Sequence, residues 1–236
     1  MVAFTGGGGK TTAILGLSRE LRGRGWRVLA STTTKVGLTL ARELPIVCAQ
    51  GDAEALVERA LDADGAVFLA SGPAPEEKLA GVAPGVLDSL ASAALADVVL
   101  VEADGSRQRP IKAPADHEPV VPARAAIVSF MAGIDAVGAI LDGPLVHRPE
   151  LVRRFGSGPV VTPELIAALA SSEHGGLKGV PDGAAARPIL NKVTIGTRDS
   201  ALTAAAGILD RAGTAVDRVL VTDVRGGEFL FLTRRD

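Results

Sequence analysis

The residues best suited to chemistry stand near the amino terminus, in the run Gly6-Gly7-Gly8-Gly9-Lys10-Thr11-Thr12. Glycines let successive backbone N–H groups curl around an anion with no Cβ in the way. Lys10 has the reach and charge to neutralise the terminal phosphates of a nucleoside triphosphate, and the Thr11 hydroxyl is the type of ligand that holds Mg²⁺ beside them. A second set, Glu102 and Asp104, closes an aliphatic run and is followed by Gly105-Ser106. Two carboxylates two apart share a face on an ideal strand, where they can hold a metal or its water and orient an attacking one. A third set is Thr32-Thr33-Thr34-Lys35. Thr33 there is a further candidate Mg²⁺ or γ-phosphate contact and Lys35 a second phosphate clamp; a threonine-rich turn before the next element is the equal alternative. A fourth is Asn191-Lys192-Val193-Thr194, behind the apolar Ile189-Leu190. Asn191 and Lys192 are candidates to pack on a purine, as in the Asn-Lys-x-Asp element of GTPases. Thr194 stands where that aspartate would be, and a hydroxyl cannot make the bidentate charged pair with guanine. ATP and GTP both remain open.

These sets need elements to hold them. Val2-Ala3-Phe4-Thr5 reads as a buried strand, and Ala13, Ile14, Leu17 and Leu21 recur at helical spacing behind the glycines. Strand, glycine loop, Lys-Thr and helix is the order of a phosphate-binding loop whose new helix adds free N–H groups and a favourable dipole. The loop departs from the commonest pattern, since Phe4 occupies the position of the first glycine. It looks more like the shortened Thr-Gly-x-x-Gly-Lys-Thr loop of Mur-type ligases or the glycine loops of dimeric ATPases and metal-insertion GTPases. The run 27–31 predicts a second strand ending at the threonines. Strands follow at 46–49 and 65–70 around a helix at 52–61. Residues 71–75 read as a turn, 76–81 as a short exposed segment and 84–95 as a helix. Val98-Val99-Leu100-Val101 suits a strand buried on both faces. Segment 107–119 is polar and punctuated by prolines, hence irregular, and begins where the acidic strand ends. Lys112 and Arg107 in it are candidate anion contacts or plain solvated charge, and Asp116-His117-Glu118 reads as no dedicated metal site. A strand at 125–131, a short basic helix at 151–155 opened by residues 147–150, and a helix from Thr162-Pro163 to about 171 come next. Arg148 and Arg153 read first as a solvated helix face, with a charge-stabilising arginine on a substrate or neighbouring subunit as the alternative. A strand before Asn191, a helix at 198–212, and two strands at 218–222 and 228–232 that suit a hairpin complete the chain. The expected fold is α/β: one domain over 1–236, P-loop NTPase-like, with a mostly parallel sheet, helices on both faces and a C-terminal hairpin.

Composition narrows the partners. The chain of 236 residues is 47% apolar and 22% charged, enough for a sizeable core and against disorder. A net charge of −2 with no tyrosine offers neither the field nor the stacking platforms that nucleic acid requires. Cys48 is the single cysteine, so no internal disulfide forms, and it reads as a small core residue. No apolar run reaches the ~20 residues of a membrane span, and the first strand lacks the basic flank of a signal peptide. The expected compartment is the cytoplasm.

Several runs together carry a family resemblance: Phe4-Thr5-Gly6-Gly7-Gly8-Gly9-Lys10-Thr11-Thr12, Ser31-Thr32-Thr33-Thr34-Lys35, Leu100-Val101-Glu102-Ala103-Asp104-Gly105-Ser106, Lys112-Ala113-Pro114-Ala115-Asp116-His117-Glu118-Pro119 and His147-Arg148-Pro149-Glu150. In order and spacing they resemble the selenium-dependent molybdenum hydroxylase accessory proteins of the YqeC type. The resemblance implies a P-loop-like fold and a role in maturing a molybdenum-containing hydroxylase, with that enzyme or its cofactor-maturation proteins as partners. The expected activity is Mg²⁺-dependent binding and hydrolysis of ATP or GTP, slow until a partner or second subunit completes the site. The alternatives are phosphoryl transfer or ligation to a small acceptor, and a nucleotide- or cofactor-binding scaffold without turnover.

Overall fold

A computed structural model describes residues 1–38, 43–49 and 52–233. Its strands are β1 (Val2–Gly6), β2 (Val28–Thr32), β3 (Val36–Gly37), β4 (Ile46–Cys48), β5 (Ala66–Ala70), β6 (Gly72–Ala74), β7 (Lys78–Ala80), β8 (Val98–Glu102), β9 (Ile111–Lys112), β10 (Ile127–Gly133), β11 (Val146–His147), β12 (Ala185–Ala186), β13 (Ile189–Asn191), β14 (Arg218–Asp223) and β15 (Glu228–Thr233). The helices are α1 (Lys10–Gly23), α2 (Ala53–Asp64), α3 (Pro84–Ser92), α4 (Pro149–Val152), α5 (Pro163–Ala170) and α6 (Arg198–Ala212).

The main sheet runs β15-β14-β13-β10-β1-β8-β2-β5-β4, with β12 beside β10. Its neighbours are parallel except for the terminal β14–β15 pair, which is antiparallel. The expected mostly parallel sheet and C-terminal hairpin are therefore present. Parallel strands need crossovers of one hand, so the direction in which the chain steps across the sheet decides which face each helix covers. From β1 to β2 it steps one way; from β4 to β5, β5 to β8, β10 to β13 and β13 to β14 it steps the other. α1 accordingly packs Ala13, Ile14 and Leu15 with Phe4, Val28, Ala30 and Leu100 on one face. On the other, Val57 and Leu61 of α2 and Leu87 and Leu90 of α3 meet Leu29, Val99 and Val101. There too α5 and α6 pack Ile166, Ala167, Ala204 and Ile208 against Phe130, Ala132 and Leu190. Helices cover both faces, and neighbouring residues of β2 and β8 serve opposite cores, as strands buried on both sides require.

This winding puts a topological switch point at β1. The chain leaves β1 towards β2 on one side, while the strand on its other flank, β10, leads away in the opposite direction. In open α/β sheets ligands settle at the carboxyl ends of strands at such a point. The glycine loop follows β1 there, flanked by the end of β8 with Glu102 and the end of β10 with Gly133.

Local differences from the sequence expectation have physical causes. Residues 71–81, read as a turn and an exposed segment, contain β6 and β7, which form a three-stranded antiparallel sheet with β3. Leu79 and Val36 are buried there at 4% and 7% exposure, so a real apolar contact holds it. Three-residue strands show no readable period, and the hairpin turn is made by Glu76 and Glu77 at φ 63° and 51° rather than by glycine or asparagine. The basic helix expected at 151–155 is one turn of α4 followed by a 3₁₀ turn, Arg153–Phe155. Cys48 lies on the edge strand β4 and is half-buried rather than in the core. The Thr162 cap is present: its hydroxyl accepts from the Leu165 N–H at 3.2 Å.

Candidate functional site

Hydrogen bonds from three of its backbone N–H groups hold the glycine loop in place. Gly6 N–H donates to Asp104 Oδ2 at 2.9 Å, Gly7 N–H to the Met131 carbonyl at 2.9 Å, and Gly8 N–H to the Arg109 carbonyl at 3.1 Å. A Cβ on Gly7 would lie 2.5 Å from the Arg109 carbonyl oxygen, and one on Gly9 2.6 Å from the Asn191 amide nitrogen. Gly6, Gly8 and Gly9 also have left-handed φ of 83°, 79° and 117°. Glycine is therefore required by the close passage of the chain as well as by the turn. The helical ladder begins with Ala13 N–H to the Gly9 carbonyl at 2.9 Å. The N–H groups of Lys10, Thr11 and Thr12 lie outside that ladder, as the first N–H groups of any helix do. With the Gly9 N–H, which has no hydrogen-bond partner among the described residues, these helix-start donors are open to an anion.

The carboxylates converge on the same point. Lys10 is 3% exposed; its ammonium donates to the Gly6 carbonyl at 2.5 Å and lies 3.1 Å from Asp104 Oδ1 and 3.8 Å from Glu102 Oε1. Burial works against its charge, but Asp104 and Glu102 outweigh that and hold it above the ordinary lysine range. The Thr11 hydroxyl donates to Glu102 Oε2 at 2.7 Å. Burial pushes the Glu102 carboxyl up, against the opposing pull of Lys10 and Thr11. Four of the expected site residues, Lys10, Thr11, Glu102 and Asp104, are thus brought together.

An Mg²⁺ ion fits this donor set. Thr11 and Glu102 present hard oxygens 2.7 Å apart, and buried Asp104 Oδ1 has no hydrogen bond of good geometry, with the Lys10 ammonium as its cationic neighbour. Thr33 follows β2 next to this group, and its N–H donates to the Glu102 carbonyl at 3.0 Å. Its hydroxyl is directed to the Val120 carbonyl at 2.8 Å.

Asn191 and Lys192 stand at the end of β13. Asn191 is 1% exposed; its amide nitrogen donates to the Gly8 carbonyl at 2.6 Å, and its oxygen accepts from the Val224 N–H at 3.0 Å. It clasps the glycine loop to the turn after β14. Lys192, at φ 61°, pairs with Asp135 at 2.8 Å on the surface. Thr194 caps the next short turn through Thr197.

Sequence reasoning missed the other half of the site. Lys112, given above as an anion contact or solvated charge, has no exposure at all. Its ammonium lies 2.9 Å from Asp104 Oδ2 and 2.9 Å from Glu118 Oε2, with no hydrogen bond of good angle to either. Glu118 in turn accepts from the Arg148 guanidinium and from the Ala115 N–H. The result is a chain of alternating charge, Glu102–Lys10–Asp104–Lys112–Glu118–Arg148. Burial raises the Glu118 carboxyl, but its Lys112 and Arg148 partners more than reverse that and leave it at about 2. His147, in register with Lys112 across β9 and β11, is lowered to about 4 by burial first and then by Arg148, Lys112, Arg107 and Arg109. The signal available in the sequence was the clustering of lysine, glutamate and arginine between prolines. The partner distances that bury them were not written there. Arg153, by contrast, is a half-exposed surface partner of Asp142, as expected.

Fold and site define a class, a parallel α/β protein with an anion-ready helix start at the switch point of its sheet. Within that class the chain belongs to the YqeC family, described as YqeC protein, whose model matches residues 2–150. The whole alternating-charge chain falls within the matched residues, whereas Asn191 and Lys192 fall outside them. The uncharacterized protein YqeC of Escherichia coli (strain K12) is 32% identical over 186 residues, which is 78% of this chain and 72% of that protein. Among solved structures, the MinD cell division protein of Aquifex aeolicus is similar over 93% of this chain and 81% of its own, at a TM-score of 0.46 and 13% identity. No described helix is long and apolar enough to cross a membrane.

Proposed function

We propose that the chain binds a nucleoside triphosphate with Mg²⁺ at the start of α1 and hydrolyses it, in the service of maturing a molybdenum-containing hydroxylase. The observation that carries the nucleotide reading is the meeting of a buried lysine, a threonine–carboxylate pair and free helix N–H groups at the switch point. The N–H groups of Lys10, Thr11 and Thr12 would receive phosphate oxygens, while Gly6 to Gly9 let the chain pass close enough to hold them there. Lys10 would exchange the Gly6 carbonyl for a phosphate oxygen and stabilise the charge that develops on it. Thr11, with Glu102 or Asp104, would hold Mg²⁺, which supplies further neutralisation of the phosphates. The carboxylate left over would orient the attacking water and accept its proton. Asn191 fixes the loop, and Lys192 next to it would leave Asp135 to pack on the base. The maturation role rests on the resemblance carried by the sequence runs of the glycine loop, the threonine turn, the acidic strand end and the two proline-flanked segments. The test is phosphate release from ATP and from GTP with Mg²⁺, by the wild type and by Lys10→Ala; equal rates in the two would remove the hydrolase.

A further inference from the structure

The second half of the site carries more positive charge than its carboxylates balance. Arg107, Arg109, Lys112 and Arg148 all bear on His147; of these, Lys112 pairs with Asp104 and Glu118 and Arg148 with Glu118, Asp104 is shared with Lys10, and Arg107 and Arg109 have no carboxylate partner among the described residues. Four cations against two carboxylates leave two positive charges in a chain whose overall charge is −2. Arg107 is exposed and forms no ion pair among the described residues. Nearby Glu76 is already paired with Lys78. The backbone is costly at the same place. Arg107, Gln108 and Arg148 have φ of 51°, 62° and 57°, left-handed values that side-chain-bearing residues avoid and that collect at ligand sites. The scaffold is rigid as well: β9 and β11 fix His147 in register with Lys112, Arg109 ties to the Val146 carbonyl at 2.5 Å, and Arg109 N–H closes the turn on Ser106 at 3.0 Å.

We propose that Arg107 and Arg148, with the neighbouring imidazole of His147 and the buried charge of Lys112 on the paired strand, form a second anion site that receives the phosphate dianion of a small-molecule substrate. Two unbalanced positive charges match a phosphate dianion better than a monocarboxylate, and two guanidinium forks suit its oxygens. An unprotonated imidazole adds a hydrogen-bonding group without further charge. The site lies on the cover of the glycine loop, because the Arg109 and Pro110 carbonyls accept from Gly8 and Gly133 N–H at 3.1 Å and 3.0 Å. The inference deepens the nucleotide reading by giving that site a second substrate of stated chemistry. It rests on that reading for the pairing of the two ligands.

Calorimetry on the full chain tests it, with inorganic phosphate as probe and acetate as the monoanion control. With the glycine-loop site saturated by Mg²⁺ and a non-hydrolysable ATP analogue, one further equivalent of phosphate should bind. Arg107→Gln, which removes an exposed unpaired group, should weaken that binding tenfold or more at an unchanged unfolding midpoint and unchanged analogue affinity. Arg148→Lys should weaken it less than Arg148→Gln. Phosphate binding unaffected by Arg107→Gln, or acetate binding as tightly as phosphate, would overturn the proposal. If the analogue fails to bind while phosphate still binds in an Arg107-dependent and Lys10-independent manner, the nucleotide reading fails and the second anion site stands. Phosphate binding abolished by Lys10→Ala and indifferent to Arg107 would assign the anion to the glycine loop and refute the second site.

Discussion

The two halves of the charged centre are built from different kinds of sequence. The glycine-loop half, β1 through the start of α1 with the end of β8, is assembled from contiguous strand–loop–helix and strand–acid runs. The cover half, residues 105–119 with 146–148, joins short irregular pieces, and its closing ion pair spans thirty residues, from Glu118 to Arg148. Both halves bury a lysine against Asp104, at 3.1 Å for Lys10 and 2.9 Å for Lys112. Lys10 stands at the helix start between Asp104 and Glu102, and in the proposed function its ammonium would leave the Gly6 carbonyl for a phosphate. The other is enclosed between two carboxylates and holds the cover to the sheet. On the proposed function the same residue type would serve binding in one half, while it serves assembly in the other.

The contrast breaks most readily at Lys112. Lys112→Met would leave Asp104 and Glu118 buried with a partner missing, a change that costs about 3–5 kcal/mol. Denaturant unfolding should show that loss, whereas a solvated lysine would change stability by less than about 0.5 kcal/mol. Glu118→Gln added to Lys112→Met should recover part of it. Lys10→Ala should act on function instead, lowering turnover about 10²–10³-fold, the scale for removing one preorganised charge stabiliser. Asp104 keeps Lys112 in that variant, so its unfolding midpoint should fall less than that of Lys112→Met. Asn191→Ala should cost about 1–3 kcal/mol, because the Gly8 carbonyl and Val224 N–H each lose a buried partner.

Acid should act on the cover half in two stages. His147 is unprotonated in the folded chain down to about 4, against an ordinary value of 6.5. The unfolded chain therefore binds the extra proton first, and stability present above pH 6.5 is lost as pH falls towards 4, by at most about 1.4 kcal/mol per pH unit. Glu118 has its carboxyl lowered from 4.5 to about 2, so its contribution is complete above pH 4.5 and is lost as pH falls towards 2. Denaturant midpoints measured from pH 7.5 to 3 should show the first stage vanish in His147→Gln while the second remains. A pH-independent midpoint between 6.5 and 4.5 in the wild type would contradict the enclosed imidazole.

What could be read from the sequence follows the same division. The fold was legible because α1 carries apolar residues at helical spacing, because Thr162-Pro163 marks the capped start of α5, and because Val98–Val101 has the unbroken aliphatic run of a doubly buried strand. Lys10, Thr11, Glu102 and Asp104 were legible because each stands at the end of such an element, where parallel sheets gather their ligands. Lys112, Glu118, His147 and Arg148 were not, since their burial depends on β9 and β11, two-residue strands with no period of their own. The hairpin of β6 and β7 was missed for a related reason, with glutamates in left-handed turn positions that sequence assigns to glycine. Asn191 was noticed for its place in a base-reading motif, and its role in clasping Gly8 to Val224 required the neighbouring strands to be in position.

The central claim is that a triphosphate draws the Lys10 ammonium off the Gly6 carbonyl and onto its own oxygens. A crystal structure of the full chain with Mg²⁺ and a non-hydrolysable ATP analogue measures this directly. The predicted result has phosphate oxygens against the N–H groups of Lys10, Thr11 and Thr12, the Lys10 ammonium on a phosphate, and Lys112 still between Asp104 and Glu118. Nucleotide bound elsewhere, with Lys10 still on the Gly6 carbonyl and Asp104, would contradict it.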